Sequence, residues 1–181
     1  MSVALAKVKT RAAPVPLAGL YDATKKRKQN IRTPEWFLAG VLEAFGGYIP
    51  LDPCAHRNQR HWFAHTNWTA GGRSRPWEEK TYANPPFGGA LRELVYWLAH
   101  ARVQAAHTGL PTIVLAPWRS HRHHFMPALA ASTVIWFRAF PFAGHKNSTP
   151  FPCVAIVRHC KFPRLELETG RADVPADGWA A

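Results

Sequence analysis

The sequence predicts a three-layer α/β sandwich, a mostly parallel sheet with helices on both faces. Two observations carry this expectation. Short β-rich runs at 48–52, 81–83 and 112–116 alternate with segments whose apolar residues recur at helical spacing. Two further β-rich runs, Thr133 to Phe137 and Cys153 to Val157, flank a loop containing Gly144 and Pro150. They predict an antiparallel pair at one side of the sheet.

The elements follow in chain order. Residues 1–31 show no helical or strand periodicity and contain Lys25-Lys26-Arg27-Lys28, so they are expected to form a basic arm, disordered when free and ordered on a polyanion. The folded domain is expected over 32–160. Thr33 suits the N-cap of a first helix, Pro34 its first position and Glu35 its first turn. Trp36, Phe37, Val41, Leu42 and Phe45 give that helix an apolar face, and Gly46-Gly47 ends it. Tyr48 to Asp52 reads as a short buried strand. From Cys54 to Glu79 the chain is irregular and rich in His, Arg, Trp and Gly; so long a connection is expected either to be functional or to contain a short helix around His61-Trp62-Phe63.

Thr81-Tyr82-Ala83 ends a second strand. Leu91, Leu94, Val95 and Leu98 then mark an amphipathic helix. Thr112 to Ala116 is a strand ended by Pro117, and Ser120 to Ala131 a helix disturbed at Pro127. The tail, 161–181, is mixed and polar and expected to be peripheral.

Net charge is +12, and no acid occurs between Glu93 and Glu166, where Arg102, Arg119, Arg122, Arg138, Lys146, Arg158 and Lys161 all fall. That asymmetry points to a polyanionic partner, nucleic acid before any other. Three cysteines, Cys54, Cys153 and Cys160, form no paired framework, which points to a reducing compartment and a cytoplasmic protein. No segment has the length and apolarity of a membrane span. A monomer is the default expectation.

Asn84-Pro85-Pro86-Phe87 carries the most chemistry. An amino group conjugated to a ring is a poor nucleophile, because its lone pair is delocalised. The Asn84 side-chain carbonyl and the Pro85 backbone carbonyl suit its two hydrogens and favour a more reactive, tetrahedral nitrogen. The prolines stiffen the loop, and Phe87 offers a face on which a ring can stack. The same four letters also suit a plain strand-to-turn transition. Their place favours the first: a loop at the carboxyl end of a strand, feeding a helix, is where open α/β sheets hold ligands.

Asp52-Pro53-Cys54-Ala55, then Asn84-Pro85-Pro86-Phe87, then a strand ending Ala116-Pro117, resemble the amino-methyltransferases that use S-adenosylmethionine. The pattern is most similar to short, phage-type, Dam-like DNA adenine methyltransferases. That group combines a Thr-Pro segment, here Thr33-Pro34, an Asp-Pro-x-Ala strand end, an Asn-Pro-Pro-(Tyr/Phe) loop and a late segment like 146–152. The resemblance spans about Thr33 to Val157 and rests on the order and spacing of four short motifs. It implies a Rossmann-like methyltransferase sheet with a final hairpin carrying an antiparallel strand, S-adenosylmethionine as cofactor and DNA as partner. Asn84, Pro85, Pro86 and Phe87 would then be catalytic. Thr33, Pro34, Asp52, Pro53, Cys54 and Ala55 would bind the cofactor, with Thr33-Pro34 folding over its methionine part. This chain has His56-Arg57-Asn58 where many methyltransferases have Gly-x-Gly.

Arg119 and Arg122, just past a strand end, suit phosphate contacts. Lys146 and Asn147 lie in the last hairpin loop, which suits contact with DNA or with an extruded base. Asp52 has a structural alternative as a turn cap, and Thr33-Pro34 as a helix start. Cys54, His56, His61 and His65 form an array able to grip zinc, but no Cys-x-x-Cys pair or finger spacing accompanies it, and no metal is expected. The competing functions are a zinc-dependent, HNH-like nuclease and a non-catalytic DNA-binding module. Only small elements between Asp52 and Asn84 and in the last hairpin are left to read a DNA sequence.

Overall fold

The computed structural model describes residues 32–55, 64–86, 91–118, 125–142, 149, 151–163 and 179–180. The arm expected over 1–31 lies outside them. The elements are α1 (Glu35–Phe45), β1 (Ile49–Asp52), β2 (Ala64–Asn67), β3 (Thr81–Ala83), α2 (Leu91–Thr108), β4 (Thr112–Pro117), α3 (Phe125–Ala128), β5 (Thr133–Phe137), β6 (Cys153–Arg158) and β7 (Trp179–Ala180).

Helix α1 starts one residue later than its sequence suggests. Pro34, extended at φ −61° and ψ 146°, is the N-cap, and no side chain caps the helix. Its carbonyl accepts the N–H groups of Phe37 and Leu38, both at 3.1 Å. The helix closes where Gly46 turns left-handed at φ 83°, and the Gly47 N–H reaches the Leu42 carbonyl at 2.7 Å. Phe37, Leu38, Val41 and Phe45 are its buried face, while Trp36 and Leu42 are only half-buried.

The strands form one sheet in the order β2-β1-β3-β4-β6-β5-β7. Strands β2, β1, β3 and β4 pair in parallel. β6 runs antiparallel between β4 and β5, so β5 again points with the first four, and β7 pairs antiparallel to β5. The hairpin expected at one side is present, and its second strand is inserted into the sheet instead of lying on the rim.

Side chains alternate along each strand and so divide the core in two. Ile113, Leu115, Ala155 and Val157 face α1 and pack with Phe37, Val41, Phe45 and Tyr82. Val114, Ala116, Val154 and Ile156 face α2 and α3 and pack with Leu94, Leu98, Phe125 and Leu129. Each fully buried Leu or Ile stabilises the fold by about 1.5–3 kcal/mol. β4 and β6 are buried along their whole length, which explains their near-continuous apolar sequences.

Three expectations need correction. The stretch after Cys54 was expected to be irregular, yet it contains the parallel edge strand β2, paired from Ile49↔Ala64 to Asp52↔Asn67. Residues 61–63, where a short helix was expected, lie outside the described residues. Only Ala64 of β2 is buried, so an edge strand like this leaves no apolar run in the sequence. The helix expected from Ser120 to Ala131 is helical only over Phe125–Ala128 among its described residues, and Ala131 turns left-handed at φ 56°. Thr33 does not cap α1.

The loop 69–76 crosses the α2 face. A side chain on Gly72 would place its Cβ 1.8 Å from the Pro53 carbonyl oxygen, so the loop sits directly against the end of β1. Trp77 anchors its far side, buried, with its indole N–H donating to the Gly72 carbonyl at 2.8 Å. Among the described residues no helix is long and apolar enough to cross a membrane.

Candidate active site

The chain passes from β1 to β2 on one side and then returns to place β3 on the other side of β1. The strand order therefore reverses between β1 and β3. At such a reversal the loops leaving the two carboxyl ends diverge and open a crevice. Asp52 ends β1, and Asn84 follows the last residue of β3. The two motifs singled out in the sequence thus meet at one edge of the sheet.

Hydrogen bonds join them. The Asp52 carboxylate accepts the Cys54 N–H at 3.0 Å and the Cys54 thiol at 3.4 Å, so Pro53-Cys54 turns tightly around its own preceding side chain. The Cys54 sulfur in turn accepts the Asn84 backbone N–H at 3.1 Å. On the other side, the Asn84 side-chain amide donates through Nδ2 to Thr33 Oγ1 at 3.2 Å, and Thr33 Oγ1 lies 2.6 Å from the Tyr82 hydroxyl. Thr33, Asp52, Cys54 and Asn84 therefore form one connected cluster with Tyr82.

Burial sets the electrostatics. Asp52 is only 3% exposed, and desolvation pushes its carboxyl up from 3.8 to about 6 against the opposing Cys54 hydrogen bonds. At neutral pH the ionised form prevails. The Cys54 thiol is pushed well up, first by burial and then by the neighbouring Asp52 charge, so it stays protonated and acts as a donor instead of a nucleophile. Tyr82 is also pushed well up, by burial first, and remains a neutral phenol.

Ala55, Pro53, Pro34 and Pro85 are buried around this cluster, Asn84 is half-buried and Pro86 is exposed. Asn84 thus has access to solvent while its backbone and amide are held. A groove of about 630 Å³ opens beside Pro53 and Cys54, between residues 69–74 and the α2 side chains of Tyr96, Trp97 and His100. Arg73 and the aromatic rings of Tyr96 and Trp97 line it, and two further arginines stack on rings nearby. Arg75 lies over Trp68 at 5.3 Å, and Arg92 lies over Tyr96 at 5.3 Å with its Nε donating to the phenol at 2.6 Å. Arg73 pairs with Glu93.

Phe87, Arg119, Arg122, Lys146 and Asn147 lie outside the described residues, as do His56 and His61 of the array considered for zinc. Among the described residues no group of three His, Cys, Asp or Glu side chains could hold a metal. Sequence reasoning missed Tyr82 and the groove. A signal for Tyr82 existed: it stands two residues before Asn84, on the same strand face, and a buried phenol needs a partner. Neither protein-family models nor curated proteins give a match to the chain.

Proposed function

We propose that the chain is an S-adenosylmethionine-dependent methyltransferase that modifies the exocyclic amino group of adenine in DNA. One observation carries the reading. Asp52 and Asn84 stand at adjacent carboxyl strand ends where the sheet order reverses, joined through Cys54 by hydrogen bonds. The antiparallel β6 inserted beside β4 supports the methyltransferase form of the sheet that the sequence resemblance implies.

The residues fit the cofactor. The buried Asp52 carboxylate, already held by Cys54, would be further stabilised by a cation or hydroxyl donors, and the cofactor has both. The groove beside Cys54 is of a size that holds a nucleoside-like ligand. When bound, the cofactor supplies a methyl group on a sulfonium, which needs no acid to leave.

The remaining work falls to the chain. The Asn84 side-chain carbonyl and the Pro85 carbonyl accept the two hydrogens of the target amine and localise its lone pair. The stiff Pro85-Pro86 backbone holds both acceptors in place, and Phe87 stacks on the extruded base. Positioning supplies most of the rate, and the proton leaves after transfer, so no catalytic base is required. A net charge of +12, with no acid between Glu93 and Glu166, favours DNA as the carrier of that amine. Arg119, Arg122, Lys146 and Asn147 are the proposed DNA contacts.

The test is direct. Duplex DNA incubated with protein and S-adenosylmethionine is digested and its nucleosides weighed by mass spectrometry. N6-methyl-deoxyadenosine should appear, and Asn84→Ala should abolish it while cofactor affinity changes by a few-fold at most. No methylated nucleoside, or methyl on cytosine, overturns the proposal.

A further inference from the structure

A carboxamide has two ends of nearly the same shape and opposite hydrogen-bonding character. If the Asn84 NH₂ faced a target amine, donor would meet donor and the lone pair would gain nothing. Catalysis therefore needs something that sets the orientation of this amide. Asn84 Nδ2 donates to Thr33 Oγ1 at 3.2 Å, and Thr33 Oγ1 lies 2.6 Å from the Tyr82 hydroxyl. A hydroxyl has one hydrogen and two lone pairs: when Thr33 gives its hydrogen to the Tyr82 oxygen, it offers Asn84 lone pairs only, and these accept the NH₂ end and not the carbonyl.

Both supporting side chains are held. Thr33 is buried, and Tyr82 is fully buried against Phe37 with ring centroids 6.0 Å apart. A Thr–Tyr pair serving the core alone would be satisfied by its own hydrogen bond. The second hydrogen bond, from Asn84, ties the segment before α1 to the loop after β3.

We infer that Thr33, braced by Tyr82, is a positioning residue that turns the Asn84 carbonyl toward the target amine by binding its NH₂ end. The inference rests on the methyl-transfer reading above. Thr33 then acts on the chemical step through Asn84, where the sequence resemblance implies a contact with the cofactor.

The experiment compares wild type with Thr33→Val, Thr33→Ser and Tyr82→Phe. It measures kcat and KM for DNA, cofactor affinity by calorimetry, thermal melting, and the NMR signals of the Asn84 side-chain NH₂. Thr33→Val keeps the shape without the hydroxyl and should lower kcat by roughly 10²-fold, the cost of a misplaced reacting group. KM and cofactor affinity should move by a few-fold at most, and Thr33→Ser should restore the rate. Tyr82→Phe should lose less than Thr33→Val, because Thr33 keeps its hydroxyl and loses only its brace. The Asn84 NH₂ signals should shift, and exchange faster with water, in Thr33→Val.

Unchanged kcat in both Thr33→Val and Tyr82→Phe overturns the inference. So does weakened cofactor binding at unchanged kcat, which makes Thr33 a cofactor contact. If Thr33→Val fails to fold, Tyr82→Phe decides by the same split between kcat and affinity. A wild-type protein that methylates no amine overturns the methyl-transfer reading and the catalytic role of the clamp, while the Asn84 NH₂ signals still test its geometry.

Discussion

At Asp52 the desolvation of the anion outweighs two hydrogen bonds from Cys54, and proton release moves up from 3.8 to about 6. The folded state therefore holds this proton more tightly than the unfolded chain does. Stability from this source is complete below about pH 4 and is lost as pH rises through about 6, by about 3 kcal/mol in all. Asp52→Asn should remove that slope in urea denaturation and leave the cofactor-free protein more stable than wild type at pH 7. Cofactor affinity should behave oppositely. In wild type it should rise from pH 5 to 7 as the carboxylate ionises to meet a cationic ligand, and in the variant it should be weak and flat with pH. A variant that is less stable at pH 7 yet binds normally would make Asp52 a turn cap and nothing more. On the proposed reading, function sits on a group that the fold would be better without.

The loop 69–76 shows how one missing side chain sets the shape of an element. Its backbone approaches Pro53 so closely that a Cβ at Gly72 would stand 1.8 Å from a carbonyl oxygen and 2.9 Å from the Trp97 ring. A backbone carbonyl cannot swing aside as a flexible side chain can. Gly72→Ala should push the loop off β1 and cost roughly 1–3 kcal/mol, the range of an overpacked core. Because Pro53 precedes Cys54, and the Cys54 sulfur holds the Asn84 N–H, methyl transfer should fall as well. Urea midpoints and turnover measured on the same preparation check both effects. Unaltered stability would mean that the loop does not depend on its seat against Pro53.

Charge acts at the scale of the whole molecule. A chain with net charge +12 that meets DNA through many cations releases many counterions, so affinity should fall steeply with salt. Deleting residues 1–30 removes Lys25-Lys26-Arg27-Lys28 and should flatten the plot of log affinity against log salt. Cofactor binding should survive, since Thr33 and every described core residue are retained. Titrations at several salt concentrations for both lengths decide the matter. An equal slope would show that the arm makes no phosphate contacts.

Sequence alone determined whatever depends on neighbours along the chain. The apolar stripe of α1, its glycine stop, the buried runs of β4 and β6, and the strand-to-loop placement of Asn84 were all legible, because periodicity states which face of a segment leaves water. Strand order was not legible, because a period names a buried face and never the partner across it. β2 left no signal, having one buried residue and an edge position. The insertion of β6 between β4 and β5, the groove walled by loop 69–74 and α2, and the chain of contacts from Asp52 through Cys54 and Asn84 to Thr33 and Tyr82 came only with the tertiary structure. Thr33 shows the reason. Its local context favours a helix cap, but its hydroxyl bonds Tyr82 and Asn84, 49 and 51 residues away, and such distant partners overrule the local preference.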